Sequence, residues 1–486
     1  MEVLTSERAY MREEWLNAEW MTQEMLDRET LVETVSLPES LDSPFLEGDI
    51  GQFRPHDQLK LTTADEGLLR QLGAKGLRPG FREAAPRSRL RFDPRTVNAA
   101  IITVGGTAPS TNAVVHAIVQ RHRQYVEARG GKPLGLLLGV RYGFGGLMDL
   151  NGSVEPMVPK PYDLYCVDTE DWRELGGSAL ELSRYDFTVR ERLATAATNL
   201  IREGINILYV IGGDGGQRAA HELWTMLQQM EGGREIVVAG IPKTMDNDVA
   251  WVWHSLGFRT ALAEASRFLK VLKADARANH RIILVELFGA EAGFIAANSA
   301  LACGQADCVL IPEESWDPEK VLDYIRDKAG RQQHALVVLA EGALSKAAQR
   351  LEAEGKLRPP IGLDPEADKP YYQRDLRHLT LQWIRDRLRE DLPPRPVMEV
   401  QTVCSEPGYL IRAVPGCAED QGYAQRLGDL TVDSALAGYT HFVLSQWLTE
   451  YVLIPLSLVS RVHKRVPRGG MFWREVVAST GQPSFA

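Results

Sequence analysis

Ile211-Gly212-Gly213-Asp214-Gly215-Gly216-Gln217 sets four glycines around a single carboxylate at the end of an apolar run, residues 207–211. Glycine lets backbone approach a polyphosphate closely, and an aspartate there can hold Mg²⁺. The run before it has the length of a buried strand and the stretch after it has helical character. The motif therefore reads as a strand–turn–helix phosphate site. A turn without a ligand is the alternative for this motif alone.

Two further strand ends are similarly equipped. Val104-Gly105-Gly106-Thr107-Ala108-Pro109-Ser110-Thr111-Asn112 leads from an apolar run into an apolar helix, whose first N–H groups are open to an anion. Gly240-Ile241-Pro242-Lys243-Thr244-Met245-Asp246-Asn247-Asp248 ends another run in a polar cluster. In an extended segment Asp246 and Asp248 share a face, one able to take a proton and the other to help with a metal, and Lys243 supplies positive charge for phosphate. A tight turn explains the first motif alone almost as well, and a surface Asn/Asp turn the second. Three such strand ends in one chain describe a crevice for a polyphosphate, a metal and a hydroxyl to be activated, which is phosphoryl-transfer equipment. No GxxxxGK[ST] loop and no protein-kinase catalytic-loop pattern occurs.

Outward from these motifs, apolar runs at 99–104, 134–140, 207–211, 236–241, 282–287, 308–311 and 335–340 alternate with helix-length segments. Runs apolar on both faces predict buried parallel sheets covered by helices, an α/β protein with ligands at the glycine-bearing strand ends. Two β-α-β series are expected, one before about Gly257 and one after. Residues 1–95 lack a strong β signal; Trp15, Trp20, Met25 and Leu26 have helical spacing, and the segment reads as an extension that wraps or precedes the main body. Residues 344–396 are charged and proline-bounded, and read as a connecting insertion with a helix over 376–388.

Composition narrows the function. The 486 residues are 44% hydrophobic and 25% charged, ordinary for a globular protein with a sizeable core. Lys plus Arg total 55 against 65 Asp plus Glu, a net charge of −10, which argues against a broad nucleic-acid surface. Five scattered cysteines without a CxxC pair argue against a zinc cage or a secreted disulfide framework. No apolar stretch follows Glu2, Glu7, Arg8 and Arg12, and the apolar run at 451–459 is too short to span a bilayer, so a cytoplasmic location without a membrane partner is expected.

Further matches then accumulate in order. They are Arg91-Phe92-Asp93-Pro94, Gly176-Gly177-Ser178 with Ser183-Arg184, GGDGGQRAA at 212–220, IPKTMDND at 241–248 and Gly257-Phe258 with Thr260-Ala261. VELFGAEAGFIA at 285–296, AEGA at 340–343, GYLIRAVP at 408–415 with Asp420, and ASTGQPSF at 478–485 follow. Together they resemble the phosphofructokinase family, its plant and trypanosomatid ATP-dependent branch most of all, from about Arg89 onward. The resemblance implies two Rossmann-like α/β domains with mostly parallel sheets, an active-site cleft between them and a homo-oligomer. The boundaries it suggests are an N-terminal extension at 1–95, a nucleotide-binding domain at 96–257 completed by part of 405–450, a sugar-phosphate domain at 258–405 containing the 344–396 insertion, and a C-terminal segment at 406–486 returning over both. It implies transfer from ATP with Mg²⁺ to fructose 6-phosphate, giving fructose 1,6-bisphosphate in glycolysis. By position, Asp246 is the base, with Thr244 and Lys243 beside it. Asp214 and Asp248 serve the metal. Gly106, Arg184, Tyr185, Gly213, Asp214, Gly215 and Gly216 line the nucleotide. Thr244, Asp246, Arg281, Phe288, Gly289, Glu341, Tyr409 and Arg412 line the sugar phosphate, the counterpart of Arg281 reaching across a subunit interface in bacterial relatives. Pyrophosphate-using relatives carry a second Asp after the GGD motif, where it would repel an ATP α-phosphate; Gly215 leaves room for ATP. Lys243 occurs in both kinds and does not decide the donor.

The chain departs from that pattern at phosphate-handling positions. Ser110 replaces a glycine, Gly216 a Ser or Thr, Ala290 an arginine, Phe288 a methionine and Val403 a basic residue, and His254 stands where an aspartate is usual. These changes leave two alternatives open, a different acceptor sugar phosphate or a weakly active or non-catalytic regulatory subunit. Elsewhere, Tyr142, Phe144 and Met148 read as core packing, Trp251 and Trp253 as a lid over the cleft, and Arg87, Arg89, Arg91 and Arg95 as a solvated face or an anion contact.

Overall fold

The structure, a computed structural model, describes residues 80–150, 160–183, 189–358, 360, 369–391, 401–447, 449–461 and 463–486. Three short strands precede them at Glu33–Thr34, Leu41–Asp42 and Leu59–Leu61. The chain forms two compact units, one holding residues 260–411 and 464–486, the other the described residues up to 259 together with 412–463.

The larger unit is built on a nine-stranded sheet. Its centre is five parallel strands in the order Phe442–Trp447, Val237–Pro242, Ile207–Gly212, Ala99–Thr103, Leu137–Val140. Antiparallel strands extend both edges: Glu450–Pro455, Gly80–Glu83 and Leu59–Leu61 on one side, Tyr162–Asp163 on the other. The central strands are buried along their length because helices cover both faces, which is why their sequences are continuously apolar rather than alternating. Helices Thr111–Ala128 and Ala418–Leu436 pack together closely at Gly428, where a Cβ would come within 2.5 Å of the Ala117 Cβ. The same pair is joined by a buried ion pair, Arg121 Nε to Asp433 Oδ1 at 2.7 Å, with the Tyr125 hydroxyl donating to the same oxygen at 2.9 Å.

The chain runs from strand Ala99–Thr103 to its neighbour Leu137–Val140, then crosses back to Ile207–Gly212 on the other side. The sheet therefore reverses its winding direction between Ala99–Thr103 and Ile207–Gly212. At such a reversal the turns leaving the two strands diverge and open a crevice.

The smaller unit has a four-stranded parallel sheet, in the order Cys308–Leu310, Ala335–Ala340, Arg281–Leu287, Gln401–Ser405. Its edge strand is closed by a side chain. Val309 donates to Gln482 Oε1 at 2.7 Å, and Gln482 Nε2 donates to the Val309 carbonyl at 3.0 Å, so one amide imitates a neighbouring strand. The Asp317 N–H bonds the Phe485 carbonyl at 2.8 Å, holding the following residues down.

Several expectations are corrected. The N-terminal region contributes strands, at 59–61 and 80–83 to the main sheet and at 41–42 to a pair with Arg89–Leu90. The proposed helical pattern at Trp15–Leu26 lies outside the described residues. The strand expected over 134–140 begins at Leu137, because Leu134 and Leu136 are exposed and Leu134 bonds instead to Arg95. The insertion helix is longer than expected, Lys369–Asp391. Arg87 is not solvated. It is fully buried, donates to the Glu83 carbonyl and lies 5.4 Å from the Tyr439 ring centroid. Trp251 is no lid. It is buried and packs edge-on against Phe81 at 5.7 Å, while Trp253 is half exposed. Phe144 is core, as expected.

Candidate active site

The three motif-bearing strand ends lie side by side on one edge of the larger sheet. Val104 donates to Ile211 and Lys243 to Gly212, at 2.8 and 2.9 Å, continuing the parallel ladders to their last rung. Gly105 then turns the chain with φ +84°, a conformation that a side chain would strain.

Helix Asp214–Leu227 opens directly on the second strand end. The Gln217 N–H bonds back to the Gly213 carbonyl at 2.9 Å, which leaves the N–H groups of residues 214–216 without an intrahelical acceptor. They form the positive end of a 14-residue helix. A Cβ at Gly106 or Gly215 would meet nothing within 4 Å, so this side of the crevice is open. A Cβ at Gly213 would lie 3.3 Å from the Thr244 Cβ, so the glycine turn and the 243–248 loop are in contact.

Lys243 crosses beneath the turn. Its side chain is buried and its Nζ donates to the Gly106 carbonyl. Burial, with no carboxylate partner among the described residues, pushes its pKa down to about 8. A cation with so little solvent is poised to be satisfied by an incoming phosphate.

Asp214 begins the helix with Oδ2 held by Arg218 and His463 Nδ1 at 3.5 Å from it, while Oδ1 is buried without a partner among the described residues. Asp248 Oδ1 is likewise buried and has no partner among the described residues. Burial first, and then the charge of Asp214, raises the Asp248 pKa; the Thr244 hydroxyl pulls it partly back. Two carboxylates that repel one another and each leave an oxygen unused fit a hard divalent cation. Among the described residues no cluster of three or more ligating side chains occurs, so such a cation would draw its other oxygens from water and phosphate.

Asp246 sits on the same loop, its N–H bonded to Thr244 Oγ1 at 3.2 Å. The expected extended segment is absent. The chain bends at Met245 and Asp246, and Asn247 is left-handed, φ +53°, with its Oδ1 accepting from Ser255 N–H at 3.1 Å. Asp246 and Asp248 are therefore placed by a bend rather than by strand alternation. The loop is held further by the Ser255 hydroxyl, which donates to the Thr244 carbonyl at 2.6 Å.

Gln217 was not singled out by sequence reasoning. It is fully buried, and its Nε2 donates to the carbonyls of Val210, Gly212 and Ile241 at 3.3, 2.9 and 2.9 Å. One amide thus clamps the ends of the two strands that carry Asp214 and Lys243. His463 and Arg218 were also missed. His463 lies far along the chain and reaches Asp214 only through the fold, so no local pattern could have found it.

Ser110 adopts φ +62° at the start of its helix, which explains why glycine is usual there. Its Oγ is buried without a partner among the described residues, and Gly416 makes the space, since a Cβ there would lie 1.8 Å from Ser110 Oγ. His254 pairs with Arg259 Nη2 at 2.6 Å. Arg184 and Tyr185 lie outside the described residues.

In the smaller unit, Gly289 and Glu341 stand together at the carboxyl ends of adjacent parallel strands. Gly342 N–H bonds the Gly289 carbonyl at 2.9 Å, and Gly289 has φ +128°. The Phe288 ring packs at Gly408, where a Cβ would lie 3.0 Å from Phe288 Cζ, and Tyr409 beside it is exposed. Arg412, the last residue of the short helix Gly408–Arg412, already belongs to the larger unit. Arg281 is not brought to this group. It begins strand Arg281–Leu287, about 20 Å from the other end at the usual rise, and pairs with Asp275 at 2.8 Å.

The family model described as phosphofructokinase matches residues 98–435. The ATP-dependent 6-phosphofructokinase of Amycolatopsis methanolica is 31% identical over 410 residues, covering 84% of this chain and 83% of that one. The ATP-dependent 6-phosphofructokinase 4, chloroplastic, of Arabidopsis thaliana is 30% identical over 425 residues, covering 85% and 73%. Among solved structures, the pyrophosphate-dependent phosphofructokinase of Marinobacter aquaeolei matches with TM-score 0.58 at 19% identity over 80% of this chain and 92% of that one, a likeness of fold.

Proposed function

The chain belongs to the phosphofructokinase family, and from that premise we propose that it transfers the terminal phosphoryl group of ATP, with Mg²⁺, to fructose 6-phosphate. The observation that carries the reading is the pair of oxygens on Asp214 and Asp248 without a partner among the described residues, beside an open helix N-terminus and a buried lysine. The helix N–H groups and Lys243 bind the donor's phosphates. Asp214 and Asp248 would hold Mg²⁺, which neutralises charge on the phosphate oxygens when bound. Asp246 accepts the proton of the sugar hydroxyl as its oxygen bonds to phosphorus and the bond to the ADP oxygen breaks. Gln217 and Ser255 hold the strand ends and the loop so that these groups are in place beforehand. The open space at Gly215 supports ATP rather than pyrophosphate as donor.

A homo-oligomer belongs to the same proposal. Arg281 is at the end of its strand remote from Glu341, which suits delivery to a neighbouring copy. A cytoplasmic location is proposed with it; among the described residues no helix is long and apolar enough to cross a membrane.

The test is a matrix of ATP and pyrophosphate against a panel of sugar phosphates on the purified protein. Formation of fructose 1,6-bisphosphate from ATP is expected. Saturable ATP binding without turnover of any acceptor would instead favour the regulatory reading, for which the missing charges at Ala290 and Val403 are the motive.

A further inference from the structure

We propose that Arg377, on the helix of the 344–396 insertion, is a positioning residue for the sugar acceptor, acting through Glu341. This rests on the reading above and deepens it.

Glu286 is the penultimate residue of strand Arg281–Leu287 and is in register with Leu339 on the parallel strand that leads directly into Glu341. The two glutamates therefore leave adjacent strand ends. Arg377 spans them, its Nε 3.1 Å from Glu286 Oε1 and its Nη2 2.8 Å from Glu341 Oε1. The side chains are 14% exposed for Arg377 and Glu286 and 27% for Glu341, so water screens these pairs poorly. A third carboxylate, Glu406, follows strand Gln401–Ser405 and meets His378 of the same insertion helix at 3.1 Å. Burial lifts the Glu286 pKa to about 7, with Arg377 opposing the rise and Glu406 and Glu341 adding to it.

One guanidinium thus separates carboxylates that would otherwise repel. Its planar fork fixes both partners in direction as well as charge, which an ammonium on a flexible stem cannot do. The loop after the strand supplies no substitute. Ala290 occupies the place of the family's arginine, and its carbonyl packs beside the start of the Glu341 helix, where a Cβ on Gly342 would lie 2.1 Å away. The cation comes instead from a segment whose sequence looked like a connector. A carboxylate that accepts sugar hydroxyls must be held still, and Arg377 holds Glu341.

A merely structural Arg377 would glue the insertion helix to the sheet and affect donor and acceptor alike. The full chain is therefore made as wild type, Arg377→Met, Arg377→Lys, Glu341→Gln and the Arg377→Met/Glu341→Gln double variant. Steady-state constants with ATP and fructose 6-phosphate are measured, together with calorimetric binding of fructose 6-phosphate. Arg377→Met is expected to weaken fructose 6-phosphate binding and raise its KM about 10- to 100-fold, the worth of a charge-assisted hydrogen bond, with the KM for ATP unchanged. Arg377→Lys restores little. In the Glu341→Gln background the same change adds no further loss. Unchanged acceptor binding in folded Arg377→Met, equal losses for ATP, or losses that multiply in the double variant overturn the proposal. Should Arg377→Met not fold, Arg377→Lys carries the same comparison. Wild type that binds fructose 6-phosphate without turning it over defeats the kinase reading alone, and the calorimetric cycle still decides on Arg377. Wild type that does not bind it defeats both.

Discussion

Replacing Lys243 by methionine is expected to make the protein more stable at pH 7 while removing its activity. Lys243 is fully buried, and desolvation lowers its pKa from 10.5 to about 8. The folded protein therefore carries this charge at a cost of about 3 kcal/mol relative to the unfolded chain, since each pKa unit is worth about 1.4 kcal/mol. The hydrogen bond to the Gly106 carbonyl returns about 1 kcal/mol, so the variant should gain about 2 kcal/mol at pH 7. The sign with pH follows from proton counting. Below pH 8 the lysine is protonated in both states and the penalty is complete. Between pH 8 and 10.5 the unfolded chain holds a proton that the folded one has lost, so wild-type stability rises with pH. The variant lacks this rise, and the order of stability should reverse above about pH 10. Denaturant unfolding of both proteins at pH 7, 8.5 and 10 measures it. A variant less stable than wild type at pH 7, or a gap that does not move with pH, would refute the account of Lys243 as a desolvated cation awaiting phosphate. In the kinase assay the same variant should lose about 10²–10³ in kcat/KM.

Asp246→Asn should lower kcat by about 10²–10⁴; near-normal turnover of the folded variant would dismiss it as the base. Asp214→Asn should abolish most of the rise in melting temperature that Mg²⁺ and ATP give the wild type, read by thermal shift with and without a chelator. Asp433→Ala should destabilise the protein by about 3–5 kcal/mol, because it breaks the buried ion pair with Arg121 and the bond from the Tyr125 hydroxyl; denaturant titration checks it.

The central strands were legible because helices bury both faces, leaving continuous apolar runs with glycine at their ends. Strand edges read less well. Leu134 looks like strand sequence yet is exposed, since apolarity reports burial only on average. The N-terminal strands were invisible because two- to four-residue antiparallel edges owe their existence to the sheet they join. Of the candidate site, the glycines, Asp214, Lys243 and Asp248 stand out through local patterns. Gln217, His463 and Arg377 were not, since each works through partners that only tertiary structure supplies. Trp251 and Arg87 misled for the same reason, their residue types suggesting surface or cleft while the fold buries them.

The amide of Gln482 against Val309 has a practical meaning. Open β-edges recruit other polypeptides, and here a single side chain occupies the vacancy. Shortening the chain before residue 482, or changing that glutamine to leucine, would uncover the Val309 N–H and carbonyl at the rim of the smaller sheet. Such proteins should clump during expression while keeping every group of the candidate phosphate site. A failed preparation of that kind would say nothing about catalysis.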